Sequence, residues 1–319
     1  MPDRIDPHEI PPHIRDAIVA EIGAIEHEHN VRVLWAIESG SRAWGFPSPD
    51  SDFDARFIYI RERDWYLSIA PGRDVIERPV DKVFDVSGWD LRKALNLLRG
   101  GNATLSEWLD SPIVYRSEPG FHDAFVALID RAHRQDRSYW HYRSVAENYE
   151  AAATSGGSVR LKKWLYALRT CLAAEWAATR GTKPPMRLTD LADGIAIDPV
   201  IRSQIDHLIA VKAGLAESSS ATVEPELAAW LAARVAALSD LAVEPVAPVT
   251  CASGVESSGL NEWATSRAHT RLRWRRTASS GTKYQTCRVR HRPSSGRGNL
   301  PPSRWCRFDV QPGPRAATG

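Results

Sequence analysis

The stretch from Leu34 to Ile60, LWAIESGSRAWGFPSPDSDFDARFIYI, restricts the possible folds more than any other part of this chain. It reads as a strand over Val31–Ile37, a Gly40-Ser41 turn, a polar loop, and a second strand introduced by two aspartates. Asp52 and Asp54 stand at i and i+2, so on a strand both carboxylates leave the same face, roughly 6.6 Å apart along the chain. Carboxylates so placed repel each other unless a cation sits between them. Mg²⁺ (or Mn²⁺) fits that need, since a hard ion takes carboxylate oxygens and completes its shell with water and phosphate. Upstream, Gly40 and Ser41 offer backbone N–H groups and a hydroxyl to a phosphate, and Arg42 is the cation best placed to reach one. A phosphate cradle beside a metal-binding pair points to phosphoryl or nucleotidyl transfer.

The flanking pattern predicts mixed α and β structure. Ile10–His29 carries Ile14, Ile18, Ile22 and Ile25 at helical spacing, so an amphipathic helix precedes the first strand. Arg61–Ser68 reads as a short helix, Arg73–Glu77 as an edge strand, and Val83–Val86 as a further strand holding Asp85 between apolar residues. Leu91–Arg99 and Asn102–Leu109 are predicted helices, the first closed by Gly100-Gly101 and the second by Ser111-Pro112. From Gly120 onward the apolar spacing is helical, over Phe121–Ala132, Tyr139–Ala153, Val159–Thr179, Asp198–Gly214 and Glu224–Leu241. In the third of these, Arg160, Lys163 and Tyr166 share one face, and Lys162 and Arg169 share another.

Gly40-Ser41, ten intervening residues and Asp52-Phe53-Asp54 together resemble the signature of the DNA polymerase β-type nucleotidyltransferases. The longer string, with GSRAWGF, SPDSDFDARFIY, GWDLRKAL and EWLDSPIVY, is similar to a narrower group, the RlaP-like, RNA-ligase-associated nucleotidyltransferases. The resemblance implies an α+β fold. A small mixed-sheet, palm-like catalytic domain would span residues 1–116 and an all-α nucleotide- or substrate-binding domain residues 117–245.

It implies a third acid from a neighbouring strand, which Asp85 matches; Asp81 and Asp90 are the alternatives, with Asp90 read as a helix N-terminal acid. Asp52, Asp54 and Asp85 would then be both catalytic and metal-ligating, holding Mg²⁺ or Mn²⁺. Gly40, Ser41, Arg42, Arg160 and Lys163 would bind the nucleotide. The implied reaction transfers a nucleoside monophosphate from a nucleoside triphosphate, ATP by preference, to a hydroxyl of RNA, a tRNA end or a protein, with release of pyrophosphate. The alternative from another class is a non-catalytic nucleotide- or RNA-binding module, or a regulatory partner in RNA repair or a toxin–antitoxin system.

Composition places limits on these readings. No run of about 18 apolar residues exists and the N-terminus lacks a basic-then-apolar leader pattern, so the expectation is a cytoplasmic protein without a membrane span. Cys171, Cys251, Cys287 and Cys306 show no metal-type spacing. The charge is split: residues 251–319 carry 13 Lys/Arg against 3 Asp/Glu, so the overall +2 leaves −8 on the first 250 residues. An acidic body of this kind does not announce a long nucleic-acid groove. Residues 246–319 lose hydrophobic periodicity and are expected to be disordered. They read either as a polyanion-binding tail or, preferred here, as an extension without evolved function.

Overall fold

The computed structural model describes residues 10–79, 83–154, 160–220 and 222–247. Asp81, the inter-helix turn at Gly156–Ser158, Cys251, Cys287, Cys306 and the basic tail lie outside the described residues.

The chain begins with α1 (Pro12–His29), whose prolyl first turn suits a position where an N–H would have no helical partner. Asn30, in the left-handed region at φ 50°, ends it. Then follow β1 (Val31–Glu38), α2 (Gly40–Trp44), β2 (Phe53–Arg61), α3 (Arg63–Leu67), β3 (Val75–Glu77), β4 (Phe84–Asp90), α4 (Leu91–Arg99), α5 (Ala103–Leu109) and β5 (Val114–Ser117). The strands form one five-stranded mixed sheet in the order β3-β4-β2-β1-β5, with β2 and β4 parallel and every other pair antiparallel.

Alternation along the strands builds a core on each face of the sheet. Phe53, Ala55, Phe57 and Tyr59 of β2 pack with Val86 of β4 and with Ile18, Ile22 and Ile25 of α1. On the other face Ile58 joins Leu98 of α4, Leu105 and Trp108 of α5, and Phe121 and Phe125 of α6 (Phe121–Ala132). Along β1 the alternation breaks: Val33 and Ala36 face α1, while Leu34, Trp35 and Ile37 face the other side. The break coincides with a register shift between Val33 and Trp35, an extra residue that turns Trp35 over.

A second core lies among α7 (Gln135–Thr154), α8 (Leu161–Arg180), α9 (Leu188–Gly194), α10 (Pro199–Ala213) and α11 (Pro225–Ala237). α8 supplies Leu161, Trp164, Leu165 and Leu168 and an alanine-rich C-terminal half that admits its neighbours closely. The two cores are joined by side chains. Phe46, from the loop between β1 and β2, is fully buried among the helices. The Arg169 Nη2 of α8 lies 2.7 Å from Glu107 Oε1 of α5, and the Tyr142 hydroxyl of α7 donates to the same oxygen at 2.7 Å.

A carboxylate cluster at the head of beta strand two

β2 places Asp54, Arg56 and Ile58 on one face, and β4 places Asp85 beside them through the parallel pairing of Asp54 with Asp85. The two carboxylates therefore sit opposite each other on adjacent strands, where α-carbon rows run about 4.8 Å apart. Asp52 lies two residues earlier, at the end of the loop, and its charge acts on Asp54. Burial is the largest influence on Asp54 and raises its pKa, with Asp52 and Asp85 adding to the rise and Arg56 and Lys162 opposing it. Arg56 Nη2 donates to Asp54 Oδ1 at 2.9 Å and to Asp85 Oδ2 at 2.7 Å.

Gly40 is required by this arrangement. Its φ is +61°, and a β-carbon there would lie 1.9 Å from Asp54 Oδ2. The backbone at the head of α2 thus presses against the carboxylate, leaving no room for a side chain. Ser41 is buried, with its hydroxyl 3.2 Å from that of Ser51, which in turn accepts the Ser48 N–H at 3.0 Å.

The loop is braced from within and from the helices. Arg42, only 7% exposed, donates from Nη2 to the Ser51 carbonyl at 2.7 Å and from Nε to the Asp52 carbonyl at 3.3 Å, with its guanidinium 3.9 Å from the centre of the Phe53 ring. Its guanidinium holds the loop that carries Asp52. Lys212 of α10, 1% exposed, donates to the Ser48 hydroxyl at 2.9 Å, and burial pushes its pKa down to about 8. The Glu217 N–H donates to Asp50 Oδ1 at 2.7 Å.

On α8 the helical phase decides which cations face the acids. Arg160 is the residue preceding the helix and is exposed, with a backbone bridge to Ser220; Lys163 is exposed as well. Lys162 adds an opposing charge to Asp54 and lies 2.7 Å from Glu217 Oε1 and 5.6 Å from the centre of the Tyr166 ring. Tyr166, one turn on, feels both Asp54 and Asp52. Asp90 caps α4: its Oδ1 accepts the Arg92 N–H at 2.8 Å and its Oδ2 the Tyr66 hydroxyl at 2.8 Å.

Residues not singled out in the sequence complete the site. Glu38, fully buried at the end of β1, accepts the Asp54 N–H at 3.0 Å and the Tyr115 hydroxyl at 2.6 Å. Burial raises its pKa to about 7, against the lowering effect of those two bonds. A lone acid closing an apolar strand just before Gly40-Ser41 was the available signal. Next to the loop a cavity of about 290 Å³ is lined by Ser39, Trp44, Glu107, Tyr149, Tyr166 and Arg169. Trp44 meets Tyr166 edge-on at 4.8 Å, and its Nε1 is buried with no partner among the described residues.

Asp52 and Asp54 are hard oxygen donors of the kind Mg²⁺ or Mn²⁺ takes. Among the described residues no cluster of three or more His, Cys, Asp or Glu is arranged to hold a metal ion, and Asp85 has an oxygen committed to Arg56. No helix among the described residues is long and apolar enough to cross a membrane.

The model of the RNA repair pathway DNA polymerase beta family, RlaP, matches residues 14–253. The uncharacterized protein YcgL of Bacillus subtilis (strain 168) is 40% identical over 196 residues, which is 61% of this chain and 75% of that protein. A crystal structure of a nucleotidyltransferase-like protein from Exiguobacterium sibiricum 255-15 aligns over 80% of this chain and 81% of its own, at 14% identity and a TM-score of 0.26, a likeness too slight to build on.

Proposed function

The chain belongs to the RlaP family of polymerase β-type nucleotidyltransferases, and from that premise we propose that it transfers a nucleoside monophosphate from a nucleoside triphosphate to a hydroxyl. The observation that carries this reading is the register pairing of Asp54 with Asp85, set against a glycine that admits nothing between backbone and carboxylate. Opposed carboxylates beside a closely packed backbone turn support an ion-dependent reaction of phosphates.

A divalent ion held by Asp52 and Asp54 would neutralise phosphate charge and polarise the reacting centre. The protein's own groups do the positioning. Gly40 and Ser41 bring backbone to the acids, Arg42 and Lys212 keep the loop in place, and Lys162 stands ready to exchange its bond to Glu217 for the donor's phosphates. The cavity beside Ser39 lies near the lower end of the roughly 300–1,000 Å³ typical of ligand pockets, and its aromatic wall of Trp44, Tyr149 and Tyr166 suits the donor's base and ribose. The acceptor oxygen forms a bond to the α-phosphorus as the bond to the β-phosphate bridging oxygen breaks. Pyrophosphate leaves with that electron pair, and the acceptor's proton passes to solvent water. An RNA end is the first acceptor to offer and ATP the first donor, in keeping with the RNA-repair description of the family.

The test is transfer from each of the four α-labelled nucleoside triphosphates, with Mg²⁺ or Mn²⁺, to total RNA, tRNA and cell lysate. Wild type is run beside a variant carrying Asp52→Asn and Asp54→Asn. Label that enters an RNA or protein band with wild type alone is the expected outcome. Equal labelling by both proteins sinks the assignment, and binding of nucleotide without transfer to any acceptor favours a binding module.

A further inference from the structure

Arg56 stands where the second cation of a two-cation centre belongs. It follows Asp54 by two residues on β2 and shares its face. One nitrogen, Nη2, bonds both opposed carboxylates, at 2.9 Å to Asp54 Oδ1 and 2.7 Å to Asp85 Oδ2. The other, Nη1, donates to the backbone carbonyls of Asp85 at 2.7 Å and of Ala55 at 3.2 Å. The carbonyls belong to the sheet, so an ion competing for side-chain oxygens does not release the guanidinium from them.

The two oxygens of Asp54 are divided between different neighbours. Oδ1 goes to Arg56, whereas Oδ2 lies against Gly40, at the head of the loop that ends in Asp52. The side of Asp54 facing Asp85 is already filled by a positive group, which leaves the loop side, where Asp52 stands, for an incoming ion. Arg56 is also well packed, with 17% of its side chain exposed.

We infer that this centre takes a single divalent ion, held by Asp52 and Asp54, and that the Arg56 guanidinium is a built-in replacement for the ion that Asp85 would otherwise help to hold. The inference rests on the nucleotidyltransferase reading of the site. Chemically the exchange is specific: a guanidinium stays protonated at any working pH, so it neutralises charge permanently, yet it cannot carry a bound hydroxide as a metal does. Asp85 then acts as a positioning carboxylate for Arg56. One divalent ion leaves the three carboxylates and the arginine formally neutral before the nucleotide arrives.

The experiment is Mn²⁺ titration of the full chain, followed by electron paramagnetic resonance. It is run with the α,β-methylene analogues of ATP, GTP, CTP and UTP in turn, which cannot release pyrophosphate. Wild type is expected to bind one Mn²⁺ with an uncoupled spectrum. Arg56→Gln is expected to admit a second and to show the coupled spectrum of ions about 3.5–4 Å apart. Asp85→Asn, which keeps its shape, should hold the first Mn²⁺ within about twofold of wild type. A coupled pair in wild type overturns the inference and leaves the transferase reading standing, as does a tenfold loss of affinity in Asp85→Asn. An Arg56→Gln protein that folds and still takes one ion also overturns it. If wild type binds no ion with any analogue, the transferase reading fails and the inference with it.

Discussion

Replacing Gly40 by alanine tests the closest contact in the site. Two penalties are expected, and a control separates them. The left-handed φ of +61° costs an L-residue roughly 1–2 kcal/mol. Gly72, at φ +80° with nothing within 4 Å of an added β-carbon, carries the same backbone penalty without the contact. Gly72→Ala should therefore lower the melting temperature by roughly 2–8 °C, at about 2–4 °C per kcal/mol for a chain of this size, and leave transfer untouched. In Gly40→Ala the added methyl would sit 1.9 Å from Asp54 Oδ2, where ordinary contacts begin at 3.4 Å. The carboxylate must then retreat by more than an ångström, and a 1 Å misplacement of a catalytic group costs on the order of 100-fold in rate. The measurements are kcat/KM for nucleotidyl transfer, Mn²⁺ affinity and thermal unfolding, made on both variants. A Gly40→Ala protein that matches Gly72→Ala in all three would refute the claim that this glycine exists to admit the Asp54 carboxylate.

Two further outcomes follow from buried charges. Glu38 keeps a proton in the folded protein up to about pH 7 that the unfolded chain releases near 4.5, so folding stability must fall as pH rises through that window, by about 3 kcal/mol. Glu38→Gln, whose amide can still accept from Asp54 and meet the Tyr115 hydroxyl, should flatten this slope in denaturant melts between pH 4.5 and 7; an unchanged slope refutes the assignment. Arg169→Leu leaves Glu107 buried without its cation and should cost about 3–5 kcal/mol, most of it recovered in the double variant with Glu107→Leu. A loss below about 1 kcal/mol in equilibrium unfolding would show that the pair contributes little to joining α5 to α8.

An acid from a neighbouring strand was legible only through the family resemblance, with which the pairing of Asp54 with Asp85 agrees. Strand alternation gives the faces of Asp54 and Asp85 once the strands pair, whereas Asp52 stands in the loop just before β2, outside the strand its i, i+2 spacing suggested. What was not legible depends on packing phase. Lys162 is half-buried and Lys163 exposed because Leu161, Trp164, Leu165 and Leu168 settle the rotation of α8, and a repeating basic pattern offers several equally good faces. Arg42 reads in the sequence as a phosphate-binding cation after a tight turn, yet its guanidinium is satisfied by carbonyls of a loop that only the fold brings back to it. Arg56 and Glu38 carry no motif of their own; each gains meaning only from the strand beside it. The same holds for α6, whose amphipathic pattern fits either core and whose Phe121 and Phe125 choose the sheet.

The burial of Phe46 among the helices also bears on how such a protein can change over evolutionary time. The loop that carries Asp52 is seated on Tyr166 and tethered by Lys212, so the placement of that acid depends on helices far along the chain. The sheet and the helical bundle therefore cannot be exchanged between relatives as independent modules. A chimera that joins the sheet of one relative to the helices of another would have to import residues 44–51 with the helices, or lose the aim of its acids.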